Sequence, residues 1–177
     1  MRLEGEVVRD SILSLAGTLD RTFGGPPVPP GEQEDSRRRR LYFFHSNNDR
    51  NRFLTTFDAA AVKECYRRDQ SIVPQQALAL GNSRLVHDAA AGIAARLSSA
   101  ETSDHSMLDE EAFVRRAFVV MLGINASSEE IVTSGRALAA WRAQADGREK
   151  SDRSREDSAR THLVWALINH NDFVTLR

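Results

Sequence analysis

The chain has 177 residues, enough to bury a core without disulfides or metal, and a single helical domain over residues 1–177 is the expectation. With 41% hydrophobic and 28% charged residues, a mean hydropathy of -0.44 and no uninterrupted apolar run of about 18 residues, a membrane span is excluded as an expectation. The formal net charge of -1 argues against wholesale polyanion binding, and the lone Cys65 excludes an internal disulfide and any cysteine-based zinc or haem attachment motif.

From Leu3, the residues Val8, Ile12, Leu15 and Leu19 recur at helical spacing between Arg2, Glu6, Arg9, Asp10 and Asp20, which predicts an amphipathic helix ending near Asp20. Glu4 and Glu6 interrupt the apolar core that a secretion signal needs. An amphipathic pattern already running at the first residues reads as a chain cut from something longer or as a shortened open reading frame, and the cut is the preferred reading. The run Gly24-Gly25-Pro26-Pro27-Val28-Pro29-Pro30-Gly31 removes backbone donors and helical dihedrals together, and Glu32 to Arg40 is almost wholly polar, so a flexible loop is expected at about 21–40.

Leu41-Tyr42-Phe43-Phe44 fits a brief strand or an extended segment plugged into a core. Asp58-Ala59-Ala60-Ala61-Val62 has the composition of a short helix with Asp58 as N-cap. Pro74 ahead of Gln75-Gln76-Ala77-Leu78-Ala79-Leu80 matches proline in the first turn of a helix reaching to Ser98, and Gly81-Asn82 leaves open one kinked helix or two shorter ones. A further helix carries Phe113, Ala117, Val120 and Met121 on one face and ends at Gly123. Ser127 with Glu130 three positions on is a capping box, opening a helix that runs through Trp141. The charged stretch from Asp146 to Asp157 is either an exposed linker or a helical extension, and Leu163 to Ile168 is the last strongly apolar run and a buried helix. The fold class that emerges is mainly α, an irregular helical domain with long loops and at most a short strand pair.

Direct signals of chemistry are weak, and the residues leave the question of an enzyme open. From Ser36 to Arg68 there are nine Lys or Arg against three Asp or Glu, beside Tyr42, Phe43 and Phe44, yet no nucleic-acid signature accompanies them and nucleic acid is not the expected partner. His45, Asp49 and Asp58 could titrate or coordinate, but their spacing matches no metal motif, and His162 and His170 stand eight apart, not four. Cys65 near Arg67 and Arg68 has the cationic neighbours that favour a thiolate; a small buried apolar residue is the plainer reading. No nucleophile-elbow or phosphate-loop glycine pattern is present.

Three segments together resemble one family. They are Arg2-Leu3-Glu4-x-Glu6-x-x-Arg9-Asp10 running to Gly24-Gly25; Phe57-Asp58 followed by Cys65-x-x-Arg68-x-x-Ser71-x-Val73-Pro74-x-Gln76-Ala77-Leu78-x-Leu80-x-Asn82; and Ala166-Leu167-Ile168-Asn169-x-Asn171-Asp172-Phe173. The chain is similar to the domain of unknown function fifteen fifty-three, the C-terminal module of planctomycete-type, cytochrome-c-associated proteins. The sequence departs from the usual pattern at Gly81, where an apolar residue commonly precedes the asparagine, and in its unusually polar arginine loop. The resemblance implies an uncharacterised accessory or interaction module of a multidomain bacterial protein, periplasmic or otherwise extracytoplasmic, with haem only in other domains of the parent. The partners it implies are those other domains and a polysaccharide or a redox protein. It also implies a polar cluster of Asp58, Arg68, Ser71, Gln76 and Asn82, braced by Arg9 and Asp10, with no metal. The alternative is a carbohydrate-handling or hydrolase-like domain built on Asp58 and Arg68.

Overall fold

A computed structural model of the chain describes residues 2–46, 51–57, 74–99, 109–144 and 151–175. Among these residues the fold is mainly α, with seven α-helices and no β-strand. They are α1 (Gly5–Leu15), α2 (Arg52–Thr56), α3 (Pro74–Asn82), α4 (Arg84–Ser99), α5 (Glu110–Leu122), α6 (Ser128–Gln144) and α7 (Asp152–Ile168). By contact the chain divides into two compact units, the first comprising 1–89 with 174–177 and the second 90–173, the division falling inside α4.

In the first unit, α1 buries Val8, Ile12, Leu13 and Ala16. Its first turn carries Glu6, a charge suited to the positive end of the helix dipole. The helix stops at Leu15, five residues earlier than the apolar period predicts, because Gly17 adopts φ 73°. Thr18 N–H then reaches Leu13 O at 3.0 Å and Gly17 N–H reaches Ser14 O at 3.0 Å, the paired bonds of a Schellman turn. Helix α1 packs on α2, and the approach is close: a Cβ on Gly5 would lie 2.8 Å from Phe57 Cβ. Helix α2 packs in turn on α3.

The Leu41–Phe44 segment forms no strand. A 3₁₀ turn spans Arg40–Tyr42, and the only ladder element there is a single parallel bridge between Val28 and Phe43. Val28 N–H donates to Tyr42 O at 2.7 Å and Phe44 N–H donates to Val28 O at 2.9 Å. On the edge that faces Phe43 the next donors would come from residues 26 and 30, and both are proline with no amide hydrogen, so the ladder cannot extend in either direction. Val28, Phe43 and Leu54 nevertheless form a small apolar cluster with Phe53 against it, so Phe43 plugs into a core while Leu41 and Phe44 stay exposed. Gly81-Asn82 resolves into a break: α3 ends at Asn82 and α4 begins at Arg84.

In the second unit, α5 packs on α6 and α7, and α6 packs on α7. Helix α5 buries Phe113, Val114, Ala117, Phe118 and Met121 and ends at Gly123 with φ 69°, whereas Val120, expected inward, is 41% exposed. The inward position belongs to Phe118, one turn of residues from Val114 and three from Met121. The capping box opens α6 as expected: Ser127 N–H donates to Glu130 Oε2 at 2.7 Å and Glu130 N–H donates to Ser127 Oγ at 3.3 Å. Helix α7 starts inside the charged stretch, capped by Ser151 Oγ accepting from Ser154 N–H at 3.1 Å. Its apolar end buries Leu163, Val164, Leu167 and Ile168.

A row of ion pairs ties the helices of this unit together. Arg142 on α6 donates to Glu156 on α7 at 2.6 Å and to Glu110 on α5. Arg160 donates from Nε to Glu156 at 2.7 Å and from Nη1 to Ser98 of α4 at 3.0 Å, and its guanidinium lies 4.6 Å over the Phe113 ring. Burial raises the Glu156 carboxyl, but hydrogen bonds from Arg142 and Arg160 outweigh it and hold its pKa below the ordinary carboxylate value.

Candidate functional site

Arg9 is the organising residue of the first unit. The helical period of α1 turns it inward with Val8, Ile12 and Leu13, and it is 2% exposed. Nη1 donates to Arg38 O at 3.0 Å and to Asp10 Oδ1 at 3.3 Å, and Nη2 donates to Ser36 O. The guanidinium carbon stands 4.6 Å over the Phe43 ring. Burial pulls the Arg9 pKa below its ordinary value, and the Asp10 charge opposes that pull. Asp10 also accepts from Arg40 N–H at 3.2 Å. The two residues expected to brace a polar network thus hold the main chain of residues 36–40.

Other polar side chains of that loop also turn inward. Gln33, 3% exposed, donates from Nε2 to Phe44 O at 2.8 Å and to Val28 O at 3.3 Å. Arg38 lies 4.0 Å over the Tyr42 ring and donates to Pro26 O at 3.0 Å and to Gly24 O, while Tyr42 Oη accepts from Gly24 N–H at 3.0 Å. Sequence reading missed Gln33 and Arg38 as structural residues, since polar residues in a loop carry no periodicity that separates inward from outward.

A cavity of about 580 Å³ lies beside Arg9. Arg37, Glu34 and Asp35 come to it from the loop, Phe53 from α2, and Asn82 from the end of α3. Of the expected polar cluster and its braces, this brings Asn82 and the bracing Arg9 to one cavity. Gln76 is buried on α3, but it stands about 120° around the helix from Asn82 and is not among the described cavity-lining residues. Asp58, Arg68 and Ser71 lie outside the described residues, as do Asp49 and Cys65. Glu34, Asp35 and Asp88, the carboxylates of the cavity lining, were not singled out by sequence, because nothing in their spacing distinguishes them from solvated acids.

The histidines go separate ways. His162 stacks on Trp141 with centroids 5.6 Å apart, and His170 Nδ1 accepts from Asp172 N–H at 3.2 Å. Among the described residues no group of three or more His, Cys, Asp or Glu could hold a metal ion, and no helix is long and apolar enough to cross a membrane. No curated protein and no solved structure matches the chain. The family match covers residues 1–138 and so takes in all of the first and second segments of the resemblance but not the third, at 166–173. On that match, the chain belongs to the PSD1 family, proteins of unknown function (DUF1553).

Proposed function

We propose that the chain is an accessory module that packs on, and orients, neighbouring domains of a larger bacterial protein, and that it is not itself a catalyst. Arg9 carries this reading. A buried guanidinium committed to two main-chain carbonyls, to Asp10 and to an aromatic face positions a segment of its own fold and not a substrate. An extracytoplasmic location and a polysaccharide or redox partner rest on the family resemblance, and any haem would belong to another domain of the parent. In the alternative reading, Asp58 supplies a carboxylate and Arg68 orients an anionic or hydroxyl-rich substrate.

The test mixes the purified chain with a longer parent protein from which these residues have been deleted, and follows complex formation by sedimentation velocity. Association with a Kd in roughly the micromolar range is expected, and its absence would sink the accessory reading. The same samples, with Asp58→Asn in each and folding checked by circular dichroism, are assayed for reducing ends released from neutral and sulfated polysaccharides. No release is expected. Release by the wild type that disappears in a folded Asp58→Asn would replace the accessory module with an enzyme.

A further inference from the structure

A groove of about 640 Å³ runs between α4 and α7, wholly within the second unit. Small side chains keep it open: Ala91 and Ala95 on α4 face Ser154 and Ser158 on α7. Arg96 and Arg153 line it, and neither guanidinium has a hydrogen bond or ion pair among the described residues. Arg160 lines it as well, 3% exposed and fixed by Glu156 and by the Phe113 ring. Asp157 is the one carboxylate in the described lining. The charge of Arg160 is met by Glu156, so Arg96 and Arg153 against Asp157 are what leave this groove locally positive in a chain of net charge -1.

The hydroxyls sharpen the chemistry. Ser99 and Thr161 already donate to Arg96 O and Asp157 O, at 3.2 and 2.8 Å. The hydroxyls of Ser154 and Ser158 donate no bond among the described residues. Ser98 Oγ accepts from Arg160 Nη1 at 3.0 Å, which occupies a lone pair and leaves its proton to be donated. The described lining has no aromatic side chain and no aliphatic one larger than alanine, so its apolar surface is made of alanine methyls and side-chain stems and not of a large hydrophobic anchor. Cations and hydroxyl donors spaced by small side chains suit a small multivalent anion rich in acceptors.

We infer that this groove binds a tetrahedral oxyanion, a phosphate or sulfate group, with Arg96 and Arg153 supplying charge and Ser98, Ser154 and Ser158 supplying hydrogen bonds. The inference is independent of the accessory role. Its test titrates the purified chain with inorganic phosphate at low ionic strength, and separately with sulfate, following amide shifts by NMR. Saturable binding with a Kd on the order of 1 mM is expected, weakened about tenfold in Arg96→Gln and in Arg153→Gln. Arg84→Gln, at a residue 87% exposed and outside the groove, is expected to leave it unchanged. Loss of phosphate or sulfate binding in both groove variants sustains the site and tells which group it takes. Equal affinity in all variants, or shifts no larger than chloride gives at matched ionic strength, would overturn it.

Discussion

Two residues show how side-chain chemistry settles local structure. Truncating Arg9 removes the donors that hold Ser36 O and Arg38 O, and leaves Phe43 without its cationic partner. Arg9→Ala is therefore expected to cost about 3 kcal/mol in urea unfolding and to speed proteolysis within 21–40; a variant as stable as wild type would contradict the bracing role. Glu156 works through protonation. Its folded pKa lies below the unfolded value, so its contribution to stability is present above the ordinary glutamate pKa of about 4.3 and is lost as pH falls through the folded value. The midpoint of urea denaturation should fall steeply from pH 5 towards pH 3 in the wild type and less so in Glu156→Gln. At this scale the sequence was only partly readable. Arg9 was marked by the family motif, but its partners are backbone carbonyls about thirty positions away, and no side-chain pattern announces a carbonyl. Glu156 sat in a stretch legible only as charged, and Arg160 just beyond it, because the helix carrying both begins at a cap, Ser151, that composition does not pick out among several serines.

Elements were more legible where their ends carry local chemistry. Ser127 and Glu130 exchange both bonds of the capping box read from sequence. Ser127→Ala should cost about 1 kcal/mol and raise amide exchange in the first turn of α6, and unchanged exchange there would show the cap to be idle. Gly123 and Pro74 likewise stand where their backbone preferences put them. The end of α1 was misplaced because Leu19 keeps the apolar rhythm going past Gly17, and a left-handed glycine outranks periodicity. Gly17→Ala is expected to lower stability by about 1 kcal/mol, measured as a shift in thermal midpoint, since alanine must adopt φ 73° or give up the turn. Gly81-Asn82, just ahead of the break at Ser83, was legible as a weak point; whether it would kink or sever the helix depended on packing that no short window of sequence contains.

At the scale of the whole molecule, the succession of helical periods, caps and stops was enough for the mainly α class. They did not disclose the division into two contact units, since the boundary falls within one helix, between Ala89 and Ala90, with no proline or polar run to mark it. Each unit has buried apolar residues of its own, Val8, Ile12 and Leu54 in one and Val114, Leu138 and Val164 in the other. Hydrogen exchange should therefore separate them. Leu163→Ala is expected to cost about 3 kcal/mol and to accelerate exchange in α5 and α7 more than in α1. Uniform acceleration across the chain would mean a single cooperative unit. The single bridge at Val28 bears on association as well as on folding. An exposed stretch of extended backbone is ordinarily a template on which another chain can add a strand, with growth proceeding one amide at a time. Here the prolines on either side of Val28 withhold the next donor in both directions, so a second chain that paired at this position would find no register in which to continue.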